Sequence, residues 1–312
     1  IYCSKRIYNE HLEFGYKNIT TFSYGRKRNR EAEIAKSISK KLNVPWHYIS
    51  YTNKKLKNAI KSLKHKSYEK YADNLTSIFF PQDFLAIQYL QNKKIIPNNS
   101  VIVNGQSGDF ISGNHLPNLN YKGKKILEEL VDYYIYKHFN LWTKYYEKQK
   151  SFLFKKVFSY VKDKMNPEKG FEYKIYETLE FENRQCKYVI NGQRLYEFFN
   201  YEWRLPLWDS LYLEFWSKVP LKQKLNQNLY KRIIHETNWS GVWNNIPVNP
   251  KNTFAYDIEI IRFFFKSLFL LKGKTHWHNF EKKYLNYFID PLCGFAQWKY
   301  YDVIKDKRLF RN

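Results

Sequence analysis

The sequence has little cysteine: three residues in 312, Cys3, Cys186 and Cys293, widely separated and never paired as C-x-x-C. That excludes a disulfide framework and the common zinc modules, and fits a reducing, cytosolic setting. It also lacks a long apolar run. The most hydrophobic stretch, Ile260 to Leu271, is broken by Arg262 and Lys266 and is too short to span a bilayer. Ile1 to Phe14 carries charge throughout, which is unlike a signal peptide. No G-x-S-x-G occurs, so a serine-hydrolase elbow is excluded. Repeats and low-complexity tracts are absent, and acidic residues are outnumbered, 29 against 53 Lys and Arg.

What is present is a 44% hydrophobic, 20% aromatic chain that can bury a sizeable core, so disorder is excluded. The net charge of +24 would suit a polyanion binder. The lysines, however, are spread among Asn, Ile, Tyr and Phe, and no RNP-like, zinc-finger or basic-zipper pattern accompanies them. The densest run, Arg26 to Arg30, falls in a turn between a strand and a helix. Solvated surface charge is the favoured reading, and nucleic acid is not the expected partner.

The first hundred residues alternate strand and helix. Residues 19–24 are β-branched and aromatic and are closed by Gly25; Glu31 to Leu42 carries a helical stripe of Ala32, Ile34, Ala35, Ile38 and Leu42. Asn43-Val44-Pro45 ends that helix, and Trp46 to Tyr51 reads as a second strand. Phe84 to Leu90 reads as helix, and Val101-Ile102-Val103 as a buried strand. The pattern predicts a parallel α/β sheet covered on both faces, with ligands beyond the carboxyl ends of its strands. From about residue 118 onward it predicts a mainly helical part. The expected division is therefore a nucleotide-type α/β part over 1–118 and a helical part over 119–312 packed on it.

The segment from Asn104 to His115, N-G-Q-S-G-D-F-I-S-G-N-H, follows the strand ending at Val103. Glycines there let the backbone turn its N–H groups toward an anion, and Asp109 is placed to hold Mg²⁺ against phosphate oxygens. On pattern alone an ordinary Gly-rich turn with Asp109 as a cap stands equal to that reading. Elsewhere, His276-Trp277-His278 puts two imidazoles on one face of an expected strand, read as surface histidines. Arg204 and Asp209 read as a buried orienting pair. Tyr133-Tyr134, Phe198-Phe199 and Phe263-Phe264-Phe265 read as core.

The loop resembles the pyrophosphate-side loop of the asparagine synthetase C-terminal domain, G-E-G-A-D-E, with Gly105 and Asp109 in register. Thr21 to Gly25 with Glu31 to Ala35 is similar to that family's second strand and helix. Tyr201-Glu202-Trp203-Arg204-Leu205-Pro206-Leu207-Trp208-Asp209 is similar to its E-x-R-x-P-F-L-D segment. The likeness covers most of residues 1–235. It extends to a bacterial subgroup associated with surface-polysaccharide genes, whose loop reads G-H-S-G-D-F.

The resemblance implies an ATP-pyrophosphatase (PP-loop, adenine-nucleotide α-hydrolase) fold using ATP and Mg²⁺. Such a domain adenylates a small-molecule carboxylate, releases pyrophosphate, and lets ammonia form the amide. Asp109 would hold Mg²⁺. Gly105, Ser107 and Gly108 would bind pyrophosphate or AMP, Ser23 and Tyr24 would present backbone to adenine, and Asn104 would line the nucleotide. Ser4 would contribute from the first loop, where Tyr2-Cys3-Ser4 matches x-D-S and Cys3 replaces a metal-binding aspartate. With Ile1 heading the chain, sequence is expected upstream.

Gln106 stands where the family has an assisting glutamate, and keeps hydrogen bonding without proton transfer. In Asn228 to Arg232, Asn228 holds the place of the family's lysine, so Lys231 or Lys224 would supply that charge. No glutaminase half is evident, which leaves ammonia to an upstream part, a partner or solution. The alternatives are a catalytically impaired relative that keeps the fold, and a basic polyanion-binding protein.

Overall fold

The computed structural model describes residues 18–25, 30–73, 79–140, 143–243, 256–269 and 271–281, with Gly15, Ser77 and Ile246. Strand β1 (Thr21–Gly25) leads through helix α1 (Arg30–Lys41) to β2 (Trp46–Ser50), which lies parallel to it with Thr21 opposite Trp46 and Gly25 opposite Ser50. Helix α1 carries Glu31 and Glu33 in its first turn and Lys40 and Lys41 in its last, the charge order the helix dipole favours. It buries Ala32 and Ile38 and ends where Asn43 takes φ +52°. The carbonyl of Pro45, just before β2, accepts from both the backbone N–H and the hydroxyl of Thr21.

Helices α2 (Asn53–Lys61) and α3 (Leu63–Ala72) follow, capped by the hydroxyls of Thr52 and Ser62, which accept from the amides of Lys55 and His65. Such caps satisfy amides that have no partner within the helix. Helix α4 (Phe84–Asn92) buries Phe84, Ala86, Ile87 and Leu90. Strand β3 (Val101–Val103) then enters the core through Ile102 and leads to the one-turn helix α5 (Gly108–Ile111).

Helices α6 (Ile126–Phe139), α7 (Thr143–Lys164) and α8 (Tyr173–Leu179) pack on one another around Leu130, Val131, Ile135, Val161, Tyr176 and Leu179. Helix α8 runs on as a wide-turned π-helix, Glu180–Ile190. Short helix α9 (Arg194–Phe198) precedes β4 (Glu202–Arg204), which lies parallel to β3, Ile102 facing Trp203. Helices α10 (Ser210–Lys218), α11 (Leu221–Lys224), α12 (Asn228–Thr237), α13 (Tyr256–Ser267) and α14 (Lys274–Phe280) complete the described elements.

Helix α4 is the hub. Its buried face meets Ile49 and Tyr51 by β2, Tyr68 of α3, Ile102 of β3 and Leu195, Tyr196 and Phe199 around α9. A second core of Phe110, Ile111, Leu207, Trp216 and Val219 lies beneath the Gly-rich segment.

The expected parallel pairing is present, but among the described residues the strands form two separate parallel pairs, β1–β2 and β3–β4, within a mostly helical body. β4 falls in the part expected to be helical: Glu202-Trp203-Arg204 finds a strand partner remote in sequence, which local pattern does not encode. His276, Trp277 and His278 lie on helix α14, where i and i+2 do not share a face, so the paired-imidazole geometry is absent. Phe263 is 77% exposed and Phe264 62%, so on α13 they are not core, whereas Tyr134 and Phe199 are. Arg204 and Asp209 do not pair either. Both are exposed; Arg204 bridges Glu202 at 2.8 Å, and Asp209 caps α10.

Candidate functional site

The Gly-rich segment leaves the carboxyl end of β3 with its backbone held on both sides. The Asn104 amide donates to the Arg204 carbonyl, 3.1 Å, extending the β3–β4 ladder by one bond. Ser107 sits in the left-handed region, φ +67°, unusual for a residue with a Cβ. Its buried hydroxyl donates to Gln185 Oε1 of the π-helix at 2.7 Å. Its carbonyl accepts from Ile111, starting the single turn of α5. Ser112 Oγ donates to the Gly108 carbonyl, 2.6 Å, and accepts from Gln227 Nε2 just before α12, 2.6 Å. Gly113, φ +95°, closes the segment against α11, and a Cβ there would stand 2.4 Å from the Lys224 carbonyl oxygen.

Asp109 points outward, its side chain 57% exposed, with Oδ1 accepting from the Phe110 amide and Oδ2 3.2 Å from His115 Nε2. Burial of the carboxyl acts to raise its pKa, but His115, the Phe110 amide and Arg184 outweigh it and hold Asp109 below the ordinary aspartate range. It is therefore a carboxylate at neutral pH.

Behind His115 lies Glu180, fully buried at the start of the π-helix. Its Oε1 accepts from Lys137 Nζ at 2.7 Å, His138 Nε2 at 2.6 Å and Tyr176 Oη at 2.6 Å. Lys137 and His138 stand in the last turn of α6, where the helix dipole also favours cations. Burial alone would raise the Glu180 pKa; the histidines, Lys137 and Tyr176 reverse that and depress it strongly.

A second polar centre ties the two strand pairs together. Asp83, buried beside α4, accepts from Tyr24 Oη of β1 and, at 2.5 Å, from Tyr196 Oη of α9. Asn104 Nδ2 donates to the same Tyr196 oxygen at 2.9 Å. Burial raises the Asp83 pKa, opposed by the two tyrosine hydroxyls, with a net rise. Burial, then the Asp83 charge, drives both tyrosines well above the ordinary phenol value.

Of the residues singled out by sequence, Asn104, Gly105, Gln106, Ser107, Gly108 and Asp109 form one continuous turn after β3. Tyr24 joins Asn104 through the Asp83–Tyr196 centre. Ser23 instead accepts from Trp46 Nε1 at 3.2 Å, across β1 and β2. Ser4 and Cys3 lie outside the described residues. Lys231 lies half-buried on α12, and among the described residues no hydrogen bond or ion pair joins it to the Gly-rich turn. Asn228 Nδ2 donates to the Lys222 carbonyl, 3.1 Å. Lys224 is 2% exposed and gives both its short contacts, 2.6 and 2.8 Å, to Glu177, so it is committed to that carboxylate.

Sequence reading passed over Asp83, Tyr196, Glu180, Ser112 and Gln227. Only Asp83 carried a signal: a carboxylate directly before the apolar face of α4, where a cap would be expected. Its side chain makes no cap bond and turns inward instead.

A turn of glycines after a parallel strand, with an ionised carboxylate at its tip, has the chemistry of a nucleotide-phosphate site. The family model for asparagine synthase matches residues 6–238. The chain belongs to the asparagine synthase family. That is a family of ATP-dependent amide ligases acting on small molecules, and the match contains both strand pairs and the whole turn. No curated protein matches the chain significantly. Among the described residues no helix is long and apolar enough to cross a membrane, and no group of three or more His, Cys, Asp or Glu could hold a metal alone. Asp109 fits Mg²⁺ in the other common way, as a single carboxylate sharing the ion with substrate phosphates and water.

Proposed function

We propose that the chain is an ATP-dependent ligase that adenylates a small-molecule carboxylate and converts it to an amide with ammonia. The observation that supports this most is the turn from Asn104 to Asp109. It is held open by the Ser107–Gln185 bond and carries an exposed, ionised Asp109 at the end of a parallel strand. In this reading residues 1–118 form the nucleotide part and 119–312 the part that shapes the acceptor pocket.

The substrate carboxylate oxygen attacks the α-phosphorus of ATP and pyrophosphate leaves; ammonia then attacks the acyl carbon and AMP leaves. Backbone N–H groups of Gly105, Ser107 and Gly108 face the departing phosphates. Asp109 would hold Mg²⁺, which when bound would neutralise phosphate charge. Backbone at Ser23 and Tyr24 meets adenine, Asn104 lines the nucleotide, and Ser4 adds a contact from the first loop. Gln106 hydrogen-bonds the acyl-adenylate, and Lys231 supplies the cation near the reacting phosphate. Ammonia comes from a glutaminase part, a partner or solution. We place the activity in the cytoplasm, in surface-polysaccharide assembly, on the likeness of the turn to that subgroup.

A second reading, a relative that keeps nucleotide binding without amide formation, is favoured by Lys224. The alternative to the family's lysine is sealed against Glu177. Carboxylate-dependent exchange of labelled pyrophosphate into ATP separates the two. Exchange with any member of a carboxylate panel supports the ligase; Mg-ATP binding without exchange supports the relative.

A further inference from the structure

We infer that Glu180 and His115 form a positioning pair that sets the carboxylate of Asp109 for its cation, an assignment that rests on the nucleotide-site reading above. Asp109 is exposed at the tip of a turn, where a short side chain would otherwise sample several rotamers. The side chain that reaches its Oδ2 is His115, 3.2 Å away through Nε2. His115 itself is only 16% exposed, and its other ring nitrogen points inward at Glu180 Oε2, 3.7 Å away.

That inner contact is unusual in one respect. His115 Nδ1 and Glu180 Oε2 are both buried atoms with no hydrogen-bond partner, and they face each other. Leaving buried polar atoms unpaired is costly, so the two draw on each other across the gap and orient the ring. Glu180 cannot come to meet it, because Oε1 is fastened by Lys137, His138 and Tyr176. Glu180 is therefore the fixed member, and it aims the His115 ring. Aimed in this way, the ring holds Asp109 Oδ2 through Nε2 and fixes the rotamer in which the carboxylate meets its cation. The imidazole thus links the two carboxylates across the base of the turn.

Two substitutions split the ring's contacts. In His115→Gln the amide nitrogen takes the place of Nε2 and keeps the contact to Asp109. In His115→Asn the amide takes the place of Nδ1 and keeps only the side facing Glu180. The experiment is calorimetric titration of ATP with Mg²⁺, and of ATP alone in chelator, into the full chain and into His115→Gln, His115→Asn, Glu180→Gln and the Glu180→Gln/His115→Asn double variant. Thermal melting of each is recorded.

The expected result is that His115→Asn weakens Mg-dependent binding by about 10- to 100-fold, the usual effect of losing a residue that orients a metal ligand. His115→Gln is expected to stay within about threefold of wild type, and metal-free ATP binding to be unchanged in both. Glu180→Gln should weaken the Mg-dependent component but add nothing on top of His115→Asn, because it acts through that ring. Equal losses in His115→Asn and His115→Gln, or additive losses in the double variant, would overturn the pair as a positioning device. Should Glu180→Gln not fold, the two His115 substitutions decide alone. If wild type shows no Mg-dependent ATP binding, the nucleotide-site reading falls first. If wild type binds and Asp109→Ala abolishes binding while His115→Asn does not, only the positioning inference falls.

Discussion

The hydroxyl of Ser107 donates to Gln185 Oε1 at 2.7 Å, and this buried bond joins the Gly-rich turn to the π-helix at a residue whose own backbone is left-handed. A serine at φ +67° needs such an anchor, since most side chains avoid that region. Ser107→Ala keeps the Cβ, removes the anchor and leaves the Gln185 amide wholly unpaired in the interior. We expect a loss of about 1–3 kcal/mol in chemical denaturation and a weaker affinity for Mg-ATP. A Ser107→Ala variant as stable as wild type would show that the turn holds its shape without the π-helix.

Gly113 predicts a larger effect. At φ +95° with the Lys224 carbonyl 2.4 Å from where a Cβ would stand, alanine forces α11 away from the turn. Gly113→Ala should cost at least about 2 kcal/mol, seen as a lower melting temperature. Gly170, at φ +91° with nothing within 4 Å, serves as the control for backbone strain alone.

Acid stability should report Glu180. Its folded pKa lies below the ordinary glutamate value, so the stabilisation it confers is present above about pH 4.3 and is lost as pH falls toward the folded value. In Glu180→Gln that acid-side decline should shrink. The variant should also be less stable by about 3–5 kcal/mol at neutral pH, because Lys137 and His138 are left without their carboxylate. Denaturation curves collected across the acid range for both proteins check this.

Asp83 carries the opposite sign. Its folded pKa is raised, so the folded protein binds the proton more tightly, and stability falls as pH climbs from about 3.9 through the folded value. Asp83→Asn should remove that fall. Tyr196→Phe, which deprives both Asp83 and Asn104 of a partner, should destabilise by several kcal/mol at neutral pH. An Asp83→Asn profile that runs parallel to wild type over that range would contradict a raised Asp83 pKa.

The local signals in the sequence were good ones. The apolar stripe of α1, the stop at Asn43-Val44-Pro45, the strand at Val101 and the turn through Asp109 are each written in residues a few positions apart. The features that were not legible join residues far apart. Tyr196 meets Asp83 across 113 positions, Ser107 meets Gln185 across 78, and β4 finds β3 about a hundred residues away. Glu180 reads in sequence as one more polar helix residue. Only the fold reveals that Lys137, His138 and Tyr176 converge on it. The π-helix has the same local composition as an α-helix, since the change lies in the hydrogen-bond step. Arg204 and Asp209 misled because four intervening residues turn through Pro206 and separate them.

The central claim is a nucleotide-phosphate site built on Asp109 in a protein of net charge +24, where non-specific attraction to any polyanion is the competing explanation. The measurement that separates them is calorimetric binding of Mg-ATP to wild type and Asp109→Ala at low and at high salt. The account predicts saturable, Mg-dependent binding that survives high salt in wild type and is lost in Asp109→Ala. Binding that fades with salt, or that is equal in the two proteins, would contradict it.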